Sequence, residues 1–302
     1  MRTKIKRIIF LFVLAVVLTT AIPTVKNIIS DFTYNAGHLS VREYSGKYDI
    51  NIHFISTNNS DCILIDCSGK YVLIDGGYYS LYSDIDAYLN EVGVHEFAAV
   101  VNTHPDGDHI GALPYVLENY KTDTFYCSSA SKYFESPENT YMLDSAKEQG
   151  ISTVFLSAGD EFTIEGFKFN VVAPIKYNDE SNRMSLVIQL TKDDFSALFT
   201  GDAYKEELME AYNNGYSLKS DILKVPHHGS NTSTTEELID IIAPEYAVIT
   251  VNKNYHGHPH PEVLDIFVKK QIPLLLTENS GTIIISSNCD GKYIINSVHS
   301  GG

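Results

Sequence analysis

The run Thr103-His104-Pro105-Asp106-Gly107-Asp108-His109 sets four side chains able to bind a metal within six consecutive positions. His104 and Asp106 alternate and can face one way. Asp108 and His109 follow and can turn to a second point, a spacing suited to two adjacent ions. A turn capped by Asp108 would need one carboxylate, not two carboxylates with two imidazoles. Three further clusters repeat the pattern: Leu198-Phe199-Thr200-Gly201-Asp202, Lys224-Val225-Pro226-His227-His228-Gly229-Ser230 and His256-Gly257-His258-Pro259-His260-Pro261. Each is weak by itself, because Gly-Asp after a strand is common turn chemistry and paired loop histidines often lie on the surface. In the last cluster three histidines, His256, His258 and His260, are available and one suffices.

The force of the pattern lies in what precedes each cluster. Phe97–Thr103, Phe195–Thr200, Ile222–Val225 and Tyr246–Val251 read as short apolar strands, so four strand ends deliver His or Asp into the following loops. Loops at one end of a layered sheet lie close in space. A convergent set of about four His and three Asp exceeds one tetrahedral zinc and fits a dinuclear centre.

Further strands are expected at Tyr48–Ser56, Asp61–Asp66, Lys70–Asp75, Phe162–Ile164, Phe167–Val172, Ser185–Leu190, Thr282–Ser286 and Tyr293–Ser297. Helices are expected at Asp84–Val92, from Asp108 through Leu117, and at Ala203–Tyr212, Thr234–Ile242 and Pro261–Lys270. Strands with helices scattered among them predict an α+β chain, with sheets covered by helices in one domain of about 255 residues.

The 302 residues are 44% hydrophobic and 20% charged, which excludes disorder, collagen and a polytopic membrane protein. A net charge of −16 disfavours a general grip on nucleic acid, although bound divalent ions can supply positive charge locally. Arg2, Lys4, Lys6 and Arg7 precede an apolar run ending near Pro23, which reads as a secretory signal or signal-anchor over residues 1–25. Residues 26–46 are polar and read as a tether. The expected location is extracytoplasmic, either secreted or membrane-anchored. Cys62, Cys67, Cys127 and Cys289 show no CxxC spacing and read as buried thiols, with one disulfide left open.

Six blocks in order resemble the metallo-β-lactamase superfamily, and more narrowly the hydrolase domain of ComEC-type DNA-internalisation competence proteins. They are Leu73-Ile74-Asp75-Gly76-Gly77, Thr103–His109, Asn182 with Ser185, Leu198–Asp202, Leu223–Ser230 and Gly257–Leu264. The resemblance implies an αββα sandwich over residues 47–302 and a metal-dependent hydrolase.

It also implies His104 and Asp106 on one metal, Asp108 and His109 on the other, and Asp202 between them. His227 or His228 completes the first metal and His258 the second. Asp75 is implied to be structural. Zn²⁺ is the ion the resemblance implies first; the first motif carries Asp106 where the superfamily usually has histidine, giving a harder ligand set that leaves Mn²⁺ possible beside it. Two such ions would lower the pKa of a shared water to attack phosphorus or a carbonyl carbon. Asp108 would orient that water or accept its proton, and the member of the His227–His228 pair not on a metal would touch substrate oxygen. Lys224, Asn182, Ser185 and Ser230 are candidate contacts to an anionic substrate. The expected substrate is a small or polymeric phosphoester, with nucleic acid less favoured by charge. Acyl hydrolysis and a non-catalytic binding module are the alternatives. The competence channel's many membrane helices are absent from this sequence.

Overall fold

A computed structural model describes residues 46–252 and 257–298. The signal and tether segments and His256 lie outside the described residues. Among those described, no helix is long and apolar enough to cross a membrane.

Two mixed sheets face each other. The first has eight strands: β1 (Ile50–Phe54), β2 (Ile63–Cys67), β3 (Lys70–Ile74), β4 (Glu96–Asn102), β5 (Lys121–Ser128), β6 (Ser152–Leu156), β14 (Thr282–Ser287) and β15 (Ile294–Val298), in the order β15-β14-β1-β2-β3-β4-β5-β6. The second runs β13-β12-β11-β10-β9-β8-β7, from β7 (Glu161–Ile164), β8 (Phe167–Ala173), β9 (Val187–Lys192), β10 (Phe195–Phe199), β11 (Ile222–Lys224), β12 (Tyr246–Ile249) and β13 (Leu274–Leu276). β3 to β6 are mutually parallel, as are β10 to β13.

Alternation along the strands builds the layers. Ile50, Ile52, Phe54, Ile63, Ile65, Val72 and Ile74 from the first sheet meet Phe169, Ile188, Ala197, Phe199 and Val248 from the second, filling the space between the sheets. The opposite face of the first sheet packs on α1 (Tyr82–Val92), α3 (Leu113–Asn119) and α4 (Pro137–Glu148) through Leu89, Val116, Leu117, Met142 and Ala146. The outer face of the second sheet packs on α5 (Lys205–Asn213), α6 (Glu236–Ile242) and α7 (Pro261–Lys270) through Leu208, Ala211, Leu238, Ile239, Val263 and Phe267. Each fully buried Leu, Ile or Phe contributes about 1.5–3 kcal/mol by leaving water. Helix, sheet, sheet, helix is the αββα arrangement the motifs implied.

Three departures have physical causes. The helix expected from Asp108 breaks into α2 (Gly107–Ile110) and α3, with Gly111 and Ala112 between them. Here Gly111 presses against the Tyr78–Tyr79 backbone and leaves no room for a side chain. Second, β5, α4 and β6 fill a region without a clear apolar period. The buried stripe of α4 is Asn139, Met142, Ser145 and Ala146, half of it polar, and β5 alternates exposed Lys121 and Asp123 with buried Thr122. Third, β13 adds an edge strand, followed by the single-turn α8 (Thr277–Ser280). All four cysteines are buried and unpaired, and Cys62 and Cys67 pack into cores on opposite faces of the first sheet.

Candidate metal centre

The parallel strands end where the chemistry collects. Asp75 follows β3, His104 to His109 follow β4, Asp202 follows β10, His227 and His228 follow β11, and Thr250 follows β12. Ligand sites of open α/β sheets occupy the same carboxyl ends. Two left-handed histidines, His227 (φ 47°) and His228 (φ 50°), precede Gly229 (φ 82°) and turn the chain back on itself, bringing both imidazoles beside Asp202. Left-handed backbone at such bulky residues is uncommon and costs free energy that the surrounding structure must offset. A side chain at Gly229 would strike Pro259, so the His227 and His258 loops are pressed together.

Three histidines share one geometry. His109 Nδ1 lies 2.8 Å from an Asp75 oxygen, His228 Nδ1 lies 2.7 Å from the Thr250 carbonyl, and His104 Nδ1 lies 3.1 Å from Thr103 Oγ1. Each Nε2 is buried without a hydrogen-bond partner, as is Asp202 Oδ1. Buried polar atoms without partners are costly, and imidazoles anchored at one nitrogen with the other open are the pattern of metal-ligating histidine.

The spacing of these atoms fits an ion. His109 Nε2 is 3.4 Å from Asp202 Oδ1 and 3.8 Å from Asp108 Oδ2; His228 Nε2 is 3.7 Å and 3.8 Å from the same two atoms. These gaps exceed hydrogen bonds, while oxygen and nitrogen ligands about 2.1 Å from a tetrahedral ion lie about 3.4 Å apart. Asp108, His109, Asp202 and His228 thus form one four-residue group. Nearby, His104 Nε2 is 3.7 Å from Asp106 Oδ2, and His227 Nε2 is 3.6 Å from Asp202 Oδ2.

Charge follows the geometry. Burial opposes ionisation of Asp202, yet the His228 and His109 imidazoles hold its carboxyl well below the usual carboxylate range. Burial also opposes ionisation of Asp108, but His109 and His228 bring it down to about 2. On His109 the Asp202, Asp75 and Asp108 carboxylates overcome burial and push the pKa well above the ordinary value. His228 is raised likewise against burial, chiefly by Asp202 and Asp108. Burial, reinforced by His109, lowers His104. A metal binds imidazole and carboxylate only without their protons, so its affinity at this site depends on pH.

The remaining expected residues fall in different places. His258 stands off the four-residue group, its ring 5.2 Å from that of His227 and 4.9 Å from that of His260, whose Nδ1 accepts the Asn231 N–H. The position expected for His258 beside Asp108 and His109 is taken by His228. Ser185 is buried and its hydroxyl accepts the Asp202 N–H at 3.1 Å; Ser230 is buried against Thr232. Neither serine faces solvent. Lys224 is fully buried against Asp61, with Nζ 2.5 Å from Oδ2. Asn182 stays half-buried, with an unpartnered Oδ1.

Asp75 receives the Thr103 N–H (2.8 Å), the Thr103 hydroxyl (2.6 Å) and His109 Nδ1, tying the loops after β3 and β4 together. Sequence reading missed Asp61, Thr250 and Ser181, whose hydroxyl donates to Asp106 Oδ1 at 2.5 Å. The available signal for Asp61 was an acid standing immediately before an apolar strand, where it read as a strand end.

Beside the centre lies a groove of about 290 Å³, lined by Tyr78, Tyr79, Gly107, Ile110, Glu138 and Tyr141 among others. Gly107 sits between Asp106 and Asp108, so groove and centre share a wall. Among the described residues, no lysine or arginine lines it.

Residues 55–251 match the metallo-beta-lactamase superfamily. The chain belongs to that superfamily, whose fold supports metal-dependent hydrolysis as the general class of chemistry. The chain has relatives among proteins named for competence and for recombination. It is 34% identical over 199 residues to ComE operon protein 3 of Bacillus subtilis (strain 168), covering 65% of this chain and 25% of that protein. It is 28% identical over 231 residues to Recombination protein 2 of Haemophilus influenzae, covering 74% and 27%. The chain therefore spans about a quarter of the length of these relatives. Among solved structures, the metallo-beta-lactamase fold protein YhfI of Bacillus subtilis superposes with a TM-score of 0.53 at 11% identity, over 78% of this chain and 98% of that one.

Proposed function

We propose that this chain hydrolyses phosphodiester or phosphoester bonds at a dinuclear metal centre. The observation that carries the reading is the buried group Asp108, His109, Asp202 and His228, its open nitrogen and oxygen atoms 3.4–3.8 Å apart. These four would hold one ion, and His104, Asp106 and His227 would hold the second, with Asp202 between them; Zn²⁺ fits the imidazoles and Mn²⁺ the carboxylates. Bound divalent ions supply Lewis acidity and lower the pKa of water to near neutrality.

The chain's own residues do the rest. Asp75 and the Thr250 carbonyl hold the His109 and His228 rings so that each Nε2 points inward. Asp108, partly exposed beside its place in the ligand group, would orient the attacking water or accept its proton. The half-buried Asn182 stands as a polar contact for substrate, donating through its amide nitrogen. The tyrosine groove, with no cation among its described lining residues, suits the uncharged part of an ester, since a phosphate placed there would lack a counter-charge. That favours a small substrate or a chain end over a grip on long nucleic acid. The basic and apolar N-terminal stretch supports placing the activity outside the cytoplasm, secreted or held at the membrane.

The test is hydrolysis of bis-p-nitrophenyl phosphate by chain stripped with chelator and reloaded with Zn²⁺ or Mn²⁺, beside Asp106→Ala and Asp202→Ala. Turnover that depends on metal and vanishes in both variants is expected. Two bound metals without turnover would redirect the reading to acyl esters, and then to a binding module. Failure to bind metal would overturn the site.

A further inference from the structure

We infer that Asp61 and Lys224 form a buried positioning pair that locks the two sheets in the register the metal centre needs. The inference rests on the metal-centre reading above. Four of these seven candidate ligands, His104, Asp106, Asp108 and His109, come from the first sheet, and three, Asp202, His227 and His228, from the second. Something must hold the halves in fixed register across the open edge of the sandwich.

Asp61 precedes β2 in the first sheet and Lys224 ends β11 in the second. Both are buried, Lys224 completely. Lys224 Nζ donates to Asp61 Oδ2 at 2.5 Å and to the Gly201 carbonyl at 3.1 Å, and lies 3.8 Å from Asp202 Oδ1. It therefore grips the peptide immediately before Asp202. The other Asp61 oxygen accepts the Thr250 hydroxyl at 2.5 Å, and the Thr250 carbonyl in turn faces His228 Nδ1. The Asp61 backbone completes the clamp: its N–H donates to the Asp108 carbonyl at 3.3 Å and its carbonyl accepts the Gly77 N–H at 2.7 Å. One acid thus meets the loops after β3, β4 and β12 and the end of β11, and one lysine meets the loop after β10.

Two alternative roles fail on the same contacts. Lys224 has no exposed surface to offer an anionic substrate. Asp61, Asp75 and His109 lie close enough together to suggest a third metal position. However, Lys224 and Thr250 occupy both Asp61 oxygens, while Thr103 and His109 occupy those of Asp75. Simple stabilisation is a poor account as well, because a buried ion pair is seldom better for stability than an apolar pair of similar volume. What an apolar pair cannot supply is a cation among Asp61, Asp75, Asp108 and Asp202, or a donor to the Gly201 carbonyl.

The experiment compares full-length wild type with Lys224→Met, Asp61→Asn, the double variant, and Thr250→Val. Each is assayed for thermal melting, for Zn²⁺ and Mn²⁺ affinity by competition with a chromophoric chelator, and for the visible spectrum of bound Co²⁺. The single charge variants leave a buried partner unpaired and melt earlier. The double variant removes both charges and recovers melting. It is nonetheless expected to bind metal about 10–100-fold more weakly, the usual cost of losing an outer-shell partner, with an altered Co²⁺ spectrum. Thr250→Val, which changes no charge, loses several-fold in affinity and covers the case in which the double variant fails to fold. Wild-type affinity and an unchanged spectrum in a folded double variant would overturn the pairing role, as would unchanged affinity in Thr250→Val. A wild-type chain that binds no metal would instead remove the metal-centre reading and this inference with it.

Discussion

Gly111→Ala is a sharp test of how the loop after β4 is seated. Gly111 has φ −54° and ψ −43°, ordinary right-handed helical backbone. Local propensity therefore favours the substitution, since alanine in such a position stabilises by about 0.5–1 kcal/mol over glycine. Packing argues the opposite way. A Cβ on Gly111 would lie 2.2 Å from the Tyr79 nitrogen and 2.7 Å from both the Tyr78 carbonyl carbon and the Gly107 oxygen. All three are backbone atoms, so no rotamer change relieves the contact, and the Tyr78–Tyr79 segment must move off α2. Overpacking of this kind costs about 1–3 kcal/mol and more where backbone must shift. Packing wins, for a net loss of about 2 kcal/mol. In a domain of this size that lowers the melting temperature by about 4–8 °C, read by calorimetry. Metal affinity should fall with it, because Asp106, Asp108 and His109 lie on the same turn. An unchanged or raised melting temperature would show that Tyr78 and Tyr79 are not seated on the metal-binding loop as described.

Three further outcomes can be checked independently. Burial takes His53 from 6.5 down to about 3. The unfolded chain therefore takes up a proton below pH 6.5 that the folded chain refuses, and stability falls by about 1.4 kcal/mol per pH unit down to pH 3. His53→Gln should flatten that acid limb in urea titrations at stepped pH, and an identical slope would contradict the burial. Saturating Zn²⁺ or Mn²⁺ at about 100 times its Kd should raise stability by about 2.7 kcal/mol, and chelator should reverse it; a melting curve indifferent to both would count against the four-residue group. The four buried thiols should resist a thiol reagent in the native protein and all react in guanidinium, whereas fewer than four under denaturing conditions would reveal a disulfide.

The ligand inventory was legible in one dimension because metal chemistry accepts few residue types, and His104, Asp106, Asp108 and His109 stand within a single short motif. Sheets covered by helices were legible as well, since period-2 apolar strands and amphipathic helices such as Pro261–Lys270 can bury their faces in few ways, while the αββα order of the layers came from the family resemblance of the motifs. β5, α4 and β6 were not. Their buried positions are partly Thr, Ser and Asn, which only neighbours in space can satisfy.

Tertiary structure alone decided the roles. His227 and His228 are adjacent and chemically identical in the sequence, but left-handed backbone at both sends the His228 Nε2 toward Asp108 and Asp202, and the His227 ring toward Tyr204 and His258. Lys224, in a loop-flanking motif, had the look of an anion contact until the folded chain enclosed it opposite Asp61, a residue 163 positions earlier. Sequence determines which donors and acceptors exist and roughly which strand ends carry them. Which atom faces which depends on packing across the sandwich, where burial removes water and makes each open nitrogen or unpaired charge costly enough to require one partner.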